Sequence, residues 1–143
     1  MDTMSRAEKG RVAPPPQLGR VAQGVANAVA QLPDVIVQAH WEIGSETEVN
    51  GTDFYVGEHE LGHIHLDGEA HVPIGSGLAK VLIKAKIARR FRWNDDFVAV
   101  DTTSDTALWL FGLRRTQIAG ATDQELLDRV KRFDEDRPGL GER

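Results

Sequence analysis

The first regular pattern in the chain is a set of apolar residues at the spacing of one helix face. They occupy positions 18, 21, 25, 28, 29 and 32, and Pro33 follows them. Because a period near 3.6 residues puts these side chains on one side, the spacing predicts a helix that ends before the proline. Apolar and polar residues then alternate from Val35 to Ile43, which predicts a half-buried strand.

A tight hairpin is predicted within residues 60–74, where Asp67-Gly68 is a strong turn signal. A two-residue loop at these positions would mix apolar and polar side chains on both faces of the ribbon. A three-residue loop, 66–68, sorts them and pairs His63 with His71. Because a slip of one residue turns every side chain to the other face, we expect the three-residue loop. The apolar face then holds Ile64, Ala70, Val72 and Ile74, and the polar face holds His63, His65, Glu69 and His71.

The other segments predict a helix after this hairpin, two more strands and a C-terminal helix. Ser76 is a candidate N-cap for the first helix, and a capping box at 122–125 opens the last one. Short strands are expected at 54–56 and 97–100, whereas 104–115 fits either a helix or a strand. The order of elements indicates an α+β fold, with an antiparallel sheet of about five strands and helices packed on one face.

The length of 143 residues suits one domain. We expect a disordered N-terminal tail over 1–16, which ends in three prolines, a domain over 17–133, and a frayed C-terminal tail over 134–143. The absence of cysteine excludes disulfides and thiolate metal sites. With no apolar run long enough to span a bilayer and no secretory signal at the start, we expect a cytoplasmic protein without a membrane partner.

Charge is divided unevenly along the chain. Residues 34–79 contain no lysine or arginine but all five histidines and nine acidic residues, whereas 80–92 contain six basic residues and no acid. The two segments either present faces to different partners or neutralise each other in the fold. The net charge of −5 makes a nucleic-acid partner an unfavourable hypothesis.

The histidines of the hairpin are candidate metal ligands. His63 and His65 point to one side of their strand, His71 lies across from His63, and Glu69 faces His65. Three imidazoles and a carboxylate can converge on one divalent ion, such as Zn, Ni, Mn or Fe. Acidic residues nearby could orient the rings; the candidates are Glu42, Glu58 and Glu60. His40 and His59 are expected to be surface or hydrogen-bonded residues.

Gly75-Ser76-Gly77, followed by Lys80, suggests a second candidate site. Backbone N–H groups at a helix N-terminus favour a phosphate or carboxylate. The alternative is a strand-to-helix turn with a serine cap, and the sequence leaves both open.

The string Glu60-Leu-Gly-His-Ile-His-Leu-Asp-Gly-Glu-Ala-His-Val-Pro-Ile74 resembles the luciferase-domain family of small, mostly uncharacterised bacterial proteins. The resemblance spans about residues 54–113 and includes Phe54-x-Val56-Gly57 and Ala107-Leu108-x-Leu110-Phe111. It implies a helix, and not a strand, at 105–115. The name of the family implies light emission, a function that we do not transfer to this chain.

Two hypotheses follow from the sequence. The first is a three-histidine hairpin site that binds a divalent metal or a small polar ligand, with acid–base chemistry as one possible use. The second is a non-catalytic protein–protein interaction module, in which the histidines are surface or pH-tuning residues.

Overall fold

The structure is a computed structural model that describes residues 12–42 and 47–137. In these ranges the chain forms four helices and six strands. They are α1 (Arg20–Ala30), β1 (Val35–Trp41), β2 (Val49–Val56), β3 (His59–His65), β4 (Glu69–Pro73), α2 (Ser76–Lys84), β5 (Arg89–Arg90), β6 (Phe97–Asp101), α3 (Thr106–Ile118) and α4 (Asp123–Asp136). None of these helices combines the length and apolar character needed to cross a membrane.

The strands form one antiparallel sheet in the order β1-β2-β3-β4-β6-β5. The α+β fold class is therefore confirmed, with six strands in place of about five. The additional strand arises because α2 ends at Lys84, well before the end of the basic run. Lys86 then adopts a left-handed φ of 60°, and the chain turns back to pair Arg89-Arg90 with β6.

The hairpin between β3 and β4 has the predicted register. His63 pairs with His71 and Ile64 pairs with Ala70. Gly68 has a φ of 90° and donates its N–H to the His65 carbonyl at 2.9 Å, which closes the three-residue loop. The polar and apolar faces are thus sorted as the sequence predicts.

The helices cover one face of the sheet and form the core with it. Phe54, Ile64, Val72 and Val98 of the sheet pack with Leu82, Leu110, Phe111 and Leu126 of the helices. Residues 104–115 belong largely to α3, so the helical alternative is the observed one. The capping box of α4 is present, with the Thr122 hydroxyl accepting from the Glu125 N–H at 3.1 Å.

The ends of the described ranges make contacts with the rest of the domain. Helix α4 continues to Asp136, and Arg137 donates to the carbonyl of Ala85 at 3.1 Å. At the other end, the carbonyl of Ala13 accepts from the N–H of Ala39 at 2.9 Å, so this part of the predicted tail lies along β1. Ile43 and the outer parts of both predicted tails, 1–11 and 138–143, lie outside the described residues.

Candidate functional site

The face of the sheet opposite the helices carries the candidate site. One row of paired residues crosses all six strands on this face, and it holds two histidines at its centre. From β1 to β5 the row reads Gln38, Asp53, His63, His71, Ala99 and Arg89. A second, shorter row places His40 and His65 on either side of Gly51.

Four histidines therefore meet on three strands, and we refer to His40, His63, His65 and His71 as the histidine cluster. The ring of His63 lies 4.1 Å from that of His40, 4.9 Å from that of His65 and 5.0 Å from that of His71, measured between centroids. The ring of His65 in turn lies 4.6 Å from that of His71 and 5.0 Å from that of His40. The three predicted histidines are together, with His63 in contact with every other ring.

His40 lies in the cluster although the sequence did not group it with the hairpin histidines. It is a hydrogen-bonded side chain, as one of its two expected states had it, with its Nδ1 2.7 Å from Asp53 Oδ1, and its ring stacks on His63. The other oxygen of Asp53 accepts from the Tyr55 hydroxyl at 3.0 Å. The alternation of β1 does place His40 on the polar face, but only the pairing of β1 with β2 shows what it faces.

Glu60 joins the cluster through an irregularity in β3. A β-bulge leaves Leu61 without a cross-strand partner, so Tyr55 pairs with Glu60. In a regular strand residues 60 and 63 would point to opposite faces, and the bulge brings them to the same one. The Glu60 carboxylate is buried and lies 2.9 Å from His63 Nδ1. Of the three carboxylates suggested from sequence, Glu42 and Glu58 are exposed.

Glu69 lies at the edge of the cluster and contacts His71 as well as facing the strand that carries His65. Its Oε1 is 2.6 Å from His71 Nε2, a contact that the sequence did not predict. Its other oxygen accepts from Arg89 at 2.8 Å. Glu69 is therefore placed to orient His71, with part of its own side chain open to solvent.

Three of the four histidines thus share one arrangement, in which one ring nitrogen faces a carboxylate. The pairs are His40 with Asp53, His63 with Glu60, and His71 with Glu69. An ionised carboxylate only accepts hydrogen bonds, so the nitrogen that faces it carries the proton. A neutral imidazole has one N–H, and the other nitrogen of each ring is therefore left with its lone pair.

With the protons of both rings on the nitrogens that face carboxylates, the lone pairs of His63 Nε2 and His71 Nδ1 face each other. His63 Nε2 and His71 Nδ1 are 3.1 Å apart. Among the described residues none hydrogen-bonds to the ring of His65, which lies next to both. The centre of the cluster therefore contains several imidazole nitrogens with free lone pairs and few N–H groups that could donate to them.

Burial favours the neutral form of His63, His65 and His71. It is the main cause that holds the pKa of His63 well below its ordinary value, with the neighbouring His40 adding to the effect. Burial, together with His71 and His40, lowers the pKa of His65 to about 4. The pKa of His71 is also lowered by burial, against the opposing effect of Glu69. Neutral imidazole is the form that binds a metal.

Two groups of side chains in the described ranges have ligand atoms close enough to hold one ion. They are His40, His63 and His65, and Asp53, Glu60 and His63. In each group one nitrogen or oxygen from every residue lies within 4.8 Å of the others. Both groups share His63, and neither contains His71.

The second candidate site, at the start of α2, is occupied by a side chain of the protein itself. The carboxylate of Asp96 accepts the Ser76 N–H at 3.1 Å, and its backbone carbonyl accepts the Gly75 N–H at 2.9 Å. Gly75 and not Ser76 is the N-cap residue, and it makes no side-chain cap. Because an anion already satisfies this helix end, the serine-cap prediction is wrong and the anion-binding one has no support here.

Comparisons of the chain with protein-family models, curated proteins and solved structures found no match. What the histidine cluster does must therefore follow from its own geometry and charge.

The metal-free protein should lose stability as the pH falls. The pKa of His63, His65 and His71 is lower in the folded state than the ordinary value of 6.5. Below that value the unfolded chain binds more protons than the folded one, so the free energy of unfolding falls towards pH 4. Each such histidine contributes a slope of at most about 1.4 kcal/mol per pH unit.

Urea denaturation in the presence of EDTA, repeated between neutral pH and about pH 4, measures this slope. His65→Gln should make it shallower because one of the depressed pKa values is removed. His59→Gln, which changes an exposed residue of the same strand, should leave it unchanged. If the free energy of unfolding of the parent protein did not change between neutral pH and about pH 4, the lowered pKa values of these histidines would be contradicted.

Proposed function

We propose that this protein binds one divalent transition-metal ion at the histidine cluster, with His63 and His71 as the central ligands and His65 and His40 completing the site. The proposal keeps the three histidines predicted from sequence and adds His40. It assigns Glu69, predicted as a ligand, to the orientation of His71. Asp53 and Glu60 have the same role towards His40 and His63.

The observation that carries the proposal is the contact between His63 Nε2 and His71 Nδ1 at 3.1 Å. Two lone pairs at this distance repel each other unless a positive charge lies beside both. Two imidazole nitrogens bound to one ion at about 2.0–2.1 Å are roughly 2.8–3.4 Å apart in octahedral or tetrahedral geometry. The separation of 3.1 Å lies in this range and supports two ligands of one ion, and burial disfavours the extra proton that a hydrogen bond between the two rings would need.

The charge of the surroundings supports a cation. Asp53 and Glu60 are both about 1% exposed, and they contact the rings of His40 and His63 and the Tyr55 hydroxyl. Arg114, which donates to the Glu60 backbone carbonyl at 3.0 Å, offsets part of this negative charge. Buried carboxylates are paired or serve metal sites, and a divalent ion bound by these rings would add to the positive charge beside them.

The donor set suggests which ions bind. Imidazole nitrogens suit Zn, Cu, Ni and Fe, and there is no cysteine to select thiophilic metals. The stacked rings of His40 and His63 must tilt before both reach one ion, because lone pairs lie in the ring planes. We assign His63, His71 and His65 as the first three ligands because of the contact between His63 and His71. Neither group of ligand atoms within 4.8 Å of one another contains His71, so these three rings must move closer together to bind the ion. An open fourth position would let the ion polarise a ligand oxygen or activate water.

Metal analysis of the protein without a histidine tag tests the proposal. We expect about one ion per chain after titration with Zn, Cu(II), Ni, Mn or Fe(II), and a higher unfolding temperature in the presence of the ion that binds. A folded protein that binds none of these ions and shows no thermal shift would refute the proposal. That result would favour the interaction-module hypothesis. The resemblance to the luciferase-domain family stays a prediction, and no light-emitting activity is proposed.

A further inference from the structure

One side of the histidine cluster is formed by the hairpin that joins β5 to β6. Arg89 of β5 and His71 of β4 both pair with Ala99, so they lie in one row with only a methyl group between them. The Arg89 guanidinium lies 2.8 Å from Glu69, which in turn lies 2.6 Å from His71 Nε2. A positive charge therefore lies beside the predicted metal ligands, on the solvent side.

The same hairpin places aromatic rings against the cluster. Phe91 follows Arg89 by two residues, and its ring centroid lies 4.4 Å from that of His71. Phe97 lies 5.6 Å from Phe91 and 6.1 Å from His63. Phe91 and Phe97 are both partly exposed. We refer to Arg89, Phe91 and Phe97 as the hairpin rim.

Arg89 has N–H groups that no residue in the described ranges accepts. Its side chain is 52% exposed, and within the described ranges its guanidinium contacts only Glu69 and Asp101. These contacts involve Nη1 and Nη2. A guanidinium carries five N–H groups in a planar fork that matches a carboxylate, so the remaining ones can receive an anion without loss of the pair with Glu69.

We propose that the hairpin rim binds an aromatic carboxylate next to the metal, with the carboxylate at Arg89 and the ring against Phe91. The inference rests on the proposed function, because the ion offsets the negative charge of Asp53 and Glu60 that would otherwise repel an acid. Aromatic rings pair in tilted or offset arrangements at roughly 4.5–7 Å between centroids. The partly exposed ring of Phe91 offers such a partner to a flat ligand, and an aliphatic acid would gain less there.

Titration of the metal-loaded protein with benzoate tests this inference. Benzoate should bind at least about tenfold more tightly than acetate, cyclohexanecarboxylate, benzyl alcohol or inorganic phosphate, a difference well resolved by calorimetry. Equal binding of acetate or phosphate would show a general anion site, and equal binding of cyclohexanecarboxylate would show that the flat ring has no role. Either result, or no binding of benzoate, overturns the proposal.

Three variants locate the ligand. Arg89→Gln and Phe91→Leu should each weaken benzoate binding by about tenfold. The matched control is Arg90→Gln, which removes the adjacent charge from the same strand, because Arg90 pairs with Val98 and belongs to the opposite face. Benzoate binding that survives Arg89→Gln and Phe91→Leu, or that is lost equally in Arg90→Gln, would overturn the assignment.

Metal content is measured on the same samples, so that the two proposals can fail separately. A protein that binds the ion but not benzoate contradicts only the hairpin rim. A protein that binds no ion refutes the proposed function, and benzoate is then titrated into the metal-free form. Binding that depends on Arg89 and Phe91 would still support the rim, and absence of binding would overturn it as well.

Discussion

His63→Ala is expected to abolish stoichiometric metal binding. The ring of His63 contacts all three other rings of the cluster, and its Nε2 lies 3.1 Å from His71 Nδ1. Both candidate ligand groups contain it. Loss of an orienting partner alone typically lowers metal affinity by about 10–100-fold, so we expect loss of this central ligand to exceed about 100-fold. Competition with a chromogenic chelator measures the change.

His59→Ala is the matched control, because His59 opens the same strand and is exposed. It should retain the affinity of the parent protein, which would exclude an effect of histidine number alone. Circular dichroism establishes that both variants remain folded, since His63→Ala leaves the buried Glu60 carboxylate without its ring partner. A folded His63→Ala protein that retains one ion per chain at the parent affinity would refute the assignment of the site.

Glu60→Gln separates orientation from ligation. The amide keeps the shape of the side chain but removes the charge that fixes the proton on His63 Nδ1. We expect about a 10–100-fold loss of affinity with the stoichiometry unchanged. The loss of metal affinity should therefore be larger than in His59→Ala and smaller than in His63→Ala. An intermediate loss of this kind is expected for a carboxylate that orients a ligand without binding the ion itself.

Local patterns were sufficient to predict the elements that depend on near neighbours. Helix α1, strand β1 and the register of the β3–β4 hairpin follow from periodicity, and the Asp67-Gly68 turn fixes the last of these. The three cluster histidines on this hairpin were therefore placed together correctly. Their ligand roles, and that predicted for Glu69, stay predictions that only metal binding can test.

The site residues that the sequence did not predict are positioned by contacts between residues that lie far apart in the chain. The predicted strand at 54–56 was too short, because β2 begins at Val49 and its polar first half lacks the apolar alternation of a half-buried strand. Without that half, Asp53 and Gly51 had no strand partners, and His40 could not be connected to the hairpin. Glu60 reaches the cluster only because of a β-bulge, and no pattern of residues in the sequence predicts that bulge.

Tertiary pairing also changed the interpretation of the basic run. The basic run over 80–92 is divided between two elements, because α2 ends at Lys84 and Arg89 lies on a strand beside β6. Phe91, which follows this strand, contacts His71. Trp93 is 74% exposed and lies under the Arg92 guanidinium. In Arg89 and Arg90, strand pairing with β6 prevails over the tendency of the basic run to continue as a helix.

Gly51 shows how the backbone of the sheet and the histidine cluster are connected. It pairs with His40 on one side and with His65 on the other, and the two rings approach to 5.0 Å across it. A Cβ at this position would lie against the backbone of β3 and force β2 and β3 apart. The absence of a Cβ in the middle strand is therefore part of what lets histidines from β1 and β3 meet.

Gly51→Ala should consequently destabilise the fold and damage the site together. The added Cβ would overlap the backbone carbonyl oxygen of Ile64 and lie 2.9 Å from the His65 Cα. These are backbone atoms of the neighbouring strand, so relief requires β2 and β3 to separate. We expect the free energy of unfolding to fall by about 3 kcal/mol or more, near the upper end of the range for overpacking. Urea denaturation measures this loss.

The control for Gly51→Ala is the same substitution at Gly24, in the middle of α1, where a Cβ would meet nothing within 4 Å. Alanine there should raise the free energy of unfolding by roughly 0.5–1 kcal/mol, because it restricts the unfolded chain and favours the helix. The two glycine-to-alanine variants thus have opposite expected signs. If Gly51→Ala were as stable as the parent protein and bound the ion equally well, β2 could not lie between His40 and His65 as described.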